Sequence, residues 1–276
     1  MHSPLITVYM PTHNRVNNLK RAVHSVQAQD HTNWQLIIVN DGSKDATADY
    51  LDSLVLTDER IIVFHHEIAQ GACVARNKAI EAASGEFITG LDDDDAFTPN
   101  RLSYFLENWS NNYSALCTPV TVCKGQSKVA HHYFIGELTF NDILVVNKVG
   151  NQLFCKTADL KSINGFDPHF KARQDADTWV RFLKAHGKGN KLPKSTYLQY
   201  EEQSQLSITR SPSRLIGFRQ FIEKHEALMS KRQRNAMACW ESIIMGRWVP
   251  LFLLLKSDSD IYKYSLMHNI KKLLRR

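Results

Sequence analysis

Apolar and polar residues alternate in blocks along the first hundred positions. Continuous apolar runs of strand length, "LITVYM" (5–10), "WQLIIV" (34–39), "RIIVFH" (60–65) and "EFITGL" (86–91), punctuate the chain. Between them the apolar positions keep helical spacing: Leu19, Val23 and Val26 after Val16, then "ATADYLDSL" (46–54) and "GACVARNKAIEAA" (71–83). Pro11 ends the first run and Asn14 offers a helix cap. The pattern reads βαβαβαβ. Strands that are apolar throughout need cover on both faces, which predicts an α/β fold: a Rossmann-like, mainly parallel central sheet with helices on both sides.

Past Asp95 the alternation loosens. Thr98 and Pro99 open a helix carrying Leu102, Phe105 and Leu106; "SALCTPVTVC" and "VAHHYF" read as antiparallel strands around the turn "KGQS"; "NQLFCK" (151–156) is another strand. "NGFDPHF" is a loop, "DADTWVRFLKAHG" a helix and "LPKSTYLQY" the last strand, and from about Ser213 the chain reads as helical to its end. No repeat or low-complexity linker marks a second independent domain. The expected division is a catalytic domain over 1–212, with a nucleotide-binding half (about 1–98) and an acceptor-binding half (about 99–212), followed by a helical C-terminal extension over 213–276.

Ligands of parallel sheets lie beyond the C-terminal strand ends. Three polar loops fall there: "PTHN", "NDGS" and the four carboxylates Asp92, Asp93, Asp94 and Asp95. On an extended strand end Asp92 and Asp94 would face one way, Asp93 and Asp95 the other. An Asp-x-Asp so placed suits Mg²⁺ or Mn²⁺ together with a diphosphate; a solvated acidic helix start is the alternative. Asp41 can accept from a base N–H or a ribose hydroxyl, with Gly42 letting the backbone turn beside it. Arg76 can pair with a phosphate, hold Asp41 and Asp94, or be a helix-surface charge.

Composition narrows the classes. With 276 residues, 34 Lys and Arg against 28 Asp and Glu, the chain is mildly basic, and no basic stripe interleaved with aromatics points to nucleic acid. Five scattered cysteines without C-x-x-C spacing read as reduced, buried thiols in a cytosolic protein. The apolar patch at the N-terminus is too short for a signal sequence, and "WVPLFLLLK" is too short to span a bilayer.

Taken in order and spacing, "VYMPTHNR", "VNDGS", "GACVARNKAI", "SGEFITGLDDDD" and "INGFDPHFKARQDADTWVRF" resemble the inverting family 2 glycosyltransferases with the GT-A fold, of the nonprocessive, bacterial surface-glycan type; the likeness covers roughly residues 5–210. It implies transfer of one sugar, of hexosyl type, from a nucleotide-sugar, usually UDP-linked, with inversion at the anomeric carbon. It also implies roles: Pro11, Asn14 and Asp41 at the nucleoside, Arg76 by the diphosphate or the pocket floor, Asp92 at ribose or donor sugar, Asp93 within the same acidic donor-binding motif, Asp94 on the metal, and Asp95 in support. Asp175 corresponds to the family's catalytic base; taken by itself it reads as a helix cap or first-turn acid. Gln174 stands where many relatives have an acid, and Asn40 where many have Asp. The Gln-x-x-Arg-Trp signature of processive synthases is absent, since Ile244 and Met245 precede "GRW".

The implied acceptor is a glycan or lipid-linked glycan of surface polysaccharide or lipopolysaccharide synthesis. A catalytically silent nucleotide-sugar or glycan binding module is the alternative from another class, supported by Gln174 and Asn40. A sugar-phosphate nucleotidyltransferase is a further one, although "PTHNRVNN" lacks a Gly-rich basic loop for a triphosphate.

His65 and His66, and His131 and His132, are adjacent pairs, so each pair offers at most one metal ligand, and packing roles fit better. Arg210 or Arg214 could neutralise a diphosphate from the segment 201–214. In the tail, Leu266, Met267, Ile270, Leu273 and Leu274 share a helical face while Lys263, Lys271, Lys272, Arg275 and Arg276 lie mostly off it. Such a helix suits peripheral contact with an anionic membrane, on the cytoplasmic side of the inner membrane, or packs on the domain with its basic face in water.

Overall fold

In a computed structural model the described residues are 3–131, 134–150, 152–201, 213–257 and 259–273. The four apolar runs become β1 (Ile6–Thr12), β2 (Trp34–Asp41), β3 (Ile61–His66) and β4 (Phe87–Gly90), joined by α1 (Val16–Gln27), α2 (Thr47–Val55) and α3 (Ala72–Ala82). All four strands are parallel, in the order β3-β2-β1-β4, with Ile6 opposite both Trp34 and Phe87. Alternate residues of each strand feed separate cores. Val8, Met10, Leu36 and Ile38 pack with Leu19, Val23 and Leu51, while Tyr9, Ile37, Val39 and Ile88 pack with Ala75 and Ala79 on the opposite face.

β1 runs through Pro11 to Thr12 instead of stopping before it. The Tyr9 carbonyl accepts from Leu91 N–H (3.0 Å), so position 11 also faces the β4 side, where β4 has already ended and a missing N–H breaks no ladder bond.

The sheet continues through β10 (Phe154–Lys156), antiparallel to β4, then β6 (Ala115–Cys117), β11 (Gly189–Lys191) and β9 (Gly136–Leu138), making eight strands. A four-stranded sheet holds β5 (Ala96–Phe97), β12 (Tyr197–Tyr200), β7 (Val120–Lys124) and β8 (Ser127–His131). The run read as one strand over "SALCTPVTVC" therefore divides between two sheets at Thr118-Pro119. β7 and β8 do pair antiparallel around the "KGQS" turn. Short elements carry weak periodicity, and β9, β11, α5 (Phe140–Ile143) and α6 (Thr157–Ser162) had no separate signal. α4 (Arg101–Glu107) and α7 (Gln174–His186) stand where the helical spacing puts them.

The C-terminal region is helical: α8 (Ser213–His225), a 3-10 turn over 226–228, α9 (Lys231–Ile244), α10 (Leu251–Lys256) and α11 (Ser259–Leu273). Phe218, Phe221, Met237 and Ile261 join the core beneath Tyr9 and Trp179. α8 approaches closely because position 217 is glycine: a Cβ there would sit 2.4 Å from the Ala172 carbonyl oxygen. α11 turns inward Ile261 and Ser265, both fully buried, and leaves Leu266, Met267 and Ile270 outside. His132, the segment 202–212 with Arg210, and Leu274, Arg275 and Arg276 lie outside the described residues.

Candidate active site

The loops after β1, β2 and β4 meet at one sheet edge. Asn14, exposed and at φ 53°, ties two of them: its N–H donates to Ser43 Oγ (2.9 Å) and its Oδ1 accepts from Lys44 N–H (2.6 Å). A short amide side chain tolerates this left-handed backbone better than most. Pro11 is buried within β1. Asp41 anchors the chain entering α3: Oδ1 accepts from Gln70 N–H and His66 Nδ1 (both 2.8 Å), and Oδ2 from Gly71 N–H (2.7 Å). Burial works against its charge, but these donors outweigh it and hold the carboxyl below its ordinary range. Asn40 Oδ1 takes the Ser43 N–H and its Nδ2 meets His65, so both residues of "ND" brace the turn. His65 also reaches Asp52 (3.2 Å), which gives His65 and His66 packing roles.

The acidic run is a turn, not an extended strand end. Asp95 N–H donates back to the Asp92 carbonyl (3.1 Å), because β4 stops at Gly90. Two adjacent side chains, Asp93 and Asp94, consequently share Arg15 Nη1, at 3.1 and 2.7 Å, against the expected alternation. Accessibility still alternates. Asp93 and Asp95 are 5% and 3% exposed, whereas Asp92 and Asp94 are half-buried and open to a ligand. Asp93 also accepts from Thr12 Oγ1 (2.7 Å), and Asp95 from Tyr200 N–H (3.1 Å).

Burial, opposed by Thr12 and Arg15 and aided by the repulsion of Asp94 and Asp92, pushes Asp93 up to about 6. Asp94 and Asp95 are raised as well, by burial first and then by Asp92. The raised carboxyls thus reflect burial first and mutual repulsion second. Among the described residues no three His, Cys, Asp or Glu groups form a metal cage. A pair of reachable carboxylates with no cage fits a hard divalent cation that draws its other ligands from water and phosphate.

Arg76, the fifth residue of α3, donates from Nη2 to Asp92 Oδ1 (2.9 Å). Burial disfavours its charge, but Asp92 more than offsets this. Its buried Nε and Nη1 find no acceptor among the described residues. Among the described residues its ion pair is with Asp92 and not with Asp41 or Asp94.

Asp175 lies in the first turn of α7, just after Arg173, which holds a left-handed φ of 62°. The Arg173 guanidinium lies 5.1 and 4.7 Å from the ring centres of Phe218 and Phe221 in α8, and burial lowers its pKa to about 10. Arg214, at the start of α8, adds to that lowering. Gln174 opens α7 beside the candidate base. Burial raises the Asp175 carboxyl; Ala176 N–H, Arg173 and Arg76 pull it down, and Asp92 pushes it up. Asp175 therefore feels the same charges as the acidic turn.

The connection runs through Asn147 and Gln152, whose side-chain partners periodicity does not reveal. Asn147 Nδ2 donates to Asp175 Oδ2 (2.8 Å) and to the Gly150 carbonyl (3.0 Å), while its Oδ1 accepts from Val149 and Gly150 N–H (both 3.2 Å). Gln152 Nε2 donates to Asp92 (3.4 Å) and its Oε1 accepts from Tyr9 (2.6 Å). Gly90 makes room for this amide, since a Cβ there would lie 2.1 Å from Gln152 Oε1. Arg15, the last residue of "VYMPTHNR", was in plain view but had no assigned partner; Asn147 and Gln152 had no signal.

The fold, with an acidic turn at a parallel-sheet edge and a carboxylate at the start of α7, is the GT-A fold of glycosyltransferases. The fold matches that of Staphylococcus aureus TarS 1-349 in complex with UDP-GlcNAc at a TM-score of 0.67, with 17% identity, covering 96% of this chain and 88% of that one. The chain belongs to glycosyl transferase family 2, whose model matches residues 7–177. It is 37% identical over 233 residues to the putative colanic acid biosynthesis glycosyl transferase WcaA of Escherichia coli K12, covering 82% of each chain. It is also 30% identical over 187 residues to the Escherichia coli UDP-Glc:alpha-D-GlcNAc-diphosphoundecaprenol beta-1,3-glucosyltransferase WfgD, covering 67% of this chain and 72% of that one.

Proposed function

We propose that this glycosyltransferase moves one hexosyl unit from a UDP-sugar to a hydroxyl of a lipid-linked glycan, with inversion, in the synthesis of a bacterial surface polysaccharide. The observation that carries the reading is the common electrostatic setting of Asp92, Arg76 and Asp175, with Asp94 on the same turn. UDP and an undecaprenyl-linked acceptor are named for WfgD, and UDP-GlcNAc for the TarS complex. Five free, buried cysteines are in keeping with a reducing, cytoplasmic setting. The nucleotide would occupy the half over about 1–98 and the acceptor the half over about 99–212, with the extension from 213 bracing Arg173.

In this reading Asp175 takes the proton of the acceptor hydroxyl as its oxygen bonds to the anomeric carbon. The bond from that carbon to the diphosphate breaks on the opposite face, and UDP leaves. Asp94, with Asp92 nearby, would hold Mn²⁺ or Mg²⁺, which supplies charge neutralisation of the diphosphate when bound. Asn14 and Asp41 line the nucleoside, Arg76 holds Asp92 in place through their ion pair, and buried Asp93 and Asp95 shape the turn from within.

Calorimetric titration with UDP, first with Mn²⁺ and then with chelator, tests the donor side. Binding that depends on the metal is expected. Failure of UDP to bind, or equal binding in chelator, would remove the acidic turn from the donor site.

A second prediction concerns Asn147, a positioning residue in this scheme. Asn147→Asp keeps the oxygen that caps Val149 and Gly150 but replaces the donor facing Asp175 with a carboxylate. That disfavours the ionised base, so the acid limb of the kcat/KM profile is expected to move to higher pH with UDP affinity unchanged. A lower plateau with an unmoved limb would mean that Asn147 only braces the loop.

A further inference from the structure

Eight large apolar side chains stand exposed within one short stretch of the C-terminal region. Trp248, Leu251, Phe252 and Leu255 lie along or just before α10, and Tyr262, Leu266, Met267 and Ile270 along α11, with exposures from 40% to 69%. The two helices are fixed, not frayed. Asn269 Oδ1 accepts from Val249 N–H and its Nδ2 donates to the Val249 carbonyl (both 3.0 Å), His268 meets the Arg247 carbonyl (2.9 Å), and Ile261 is buried in the core. The inward face of α11 is already taken by Ile261 and Ser265, so the outward apolar stripe 262-266-270 has no further place in the fold. An apolar face held outward by polar clamps marks an interaction surface.

We propose that the α10–α11 face docks on an anionic membrane surface. Exposed Arg247, Lys256, Lys263 and Lys271 accompany it. Residues 244–276 carry seven Lys and Arg against two Asp, which is most of the chain's formal net charge of +6. Apolar side chains that enter the headgroup boundary beside long cationic ones are the composition of an interfacial helix pair. A second copy of this face would bring like charges together, which disfavours a dimer here. No helix among the described residues is long and apolar enough to cross a membrane, so the pair would lie on the bilayer. The surface differs from the one the tail pattern alone suggests, because α10 supplies half of it.

Flotation of the full chain with phosphatidylglycerol-containing vesicles, and with phosphatidylcholine vesicles alone, tests this without any substrate. Its outcome is therefore separate from that of the donor and acceptor assignments. The native protein is expected to float with the anionic vesicles and to be released by salt. Phe252→Glu with Met267→Glu, both exposed positions, is expected to reduce partitioning by roughly tenfold or more with an unchanged melting temperature. Lys263→Glu with Lys271→Glu is expected to weaken binding and flatten its salt dependence. Absence of native binding, or native-like flotation of the apolar variant, would overturn the proposal. Equal binding to phosphatidylcholine, or no effect of the charge reversals, would overturn the anionic-lipid assignment. A native dimer that the apolar variant turns into a monomer, with no vesicle binding, would give the face to a second copy.

Discussion

Asp175→Asn is expected to lower turnover by about a hundred- to ten-thousand-fold while leaving metal-dependent UDP binding within a few-fold of native. The substitution keeps the shape of the side chain and an oxygen able to accept from Asn147, so the turn at Arg173 and the start of α7 should persist. What it removes is the capacity to take a proton. Burial raises the carboxyl of Asp175, which brings a base closer in strength to its task, while Ala176 N–H, Arg173 and Arg76 oppose that rise. The native rate should accordingly rise with pH through a limb above the ordinary carboxylate range. The measurement is initial rate against pH with a UDP-sugar and a lipid-linked acceptor, alongside UDP titration of both proteins. Near-native turnover in the Asn variant would assign proton removal to another group, and parallel loss of UDP binding would assign Asp175 to the donor instead.

Asp94→Ala is expected to weaken metal-dependent UDP binding by about a hundredfold or more, since even partners one shell removed from a metal typically account for ten- to a hundredfold. Loss of binding must be separated from loss of fold, and the electrostatics of the turn allow it. Asp93, pushed up to about 6 from 3.8 by burial, with the repulsion of Asp94 and Asp92 added, binds more protons folded than unfolded. Its contribution to stability therefore falls as pH rises from near 4 through about 6. Removing Asp94 removes one source of that repulsion, and Arg15 keeps Asp93 as a partner at 3.1 Å. In chelator at neutral pH the variant should melt no lower than the native protein. A lower melting temperature would show that the Asp94 carboxylate is a structural partner of Arg15 first, and the binding loss would then say nothing of a metal.

Several features of this protein were legible in the chain alone, because they depend on local periodicity. Four mainly apolar runs of strand length, separated by stretches of helical spacing, read as parallel strands, so the parallel sheet, its three helices and its C-terminal edge follow from residues 5–95, although the edge strand β3 leaves Ile62 and His65 exposed. The placement of Asp175 in the first turn of a helix follows in the same way from "DADTWVRFLKAHG". Five motifs in order carried the family, which the family-model match over 7–177 bears out.

Other features were decided only by tertiary structure. Spacing alone predicts an extended acidic run, but where β4 ends is set by its pairing with β1, and beyond Gly90 the chain turns, bringing Asp93 and Asp94 onto one arginine. Pro11 stays in its strand because the neighbour it would have failed to bond has ended. Asn147 bonds Asp175 and Gln152 bonds Asp92, contacts 28 and 60 residues apart that no local pattern records. α11 packs on α9 and α10 with Ile261 and Ser265 inward and leaves apolar Leu266, Met267 and Ile270 outside, which the amphipathic pattern of the helix does not predict. The sequence by itself determined the sheet, its ligand edge and the identities of the acids there, since nearest-neighbour spacing encodes them. The partners of those acids and the outward apolar face come from contacts between distant segments, which no local spacing records.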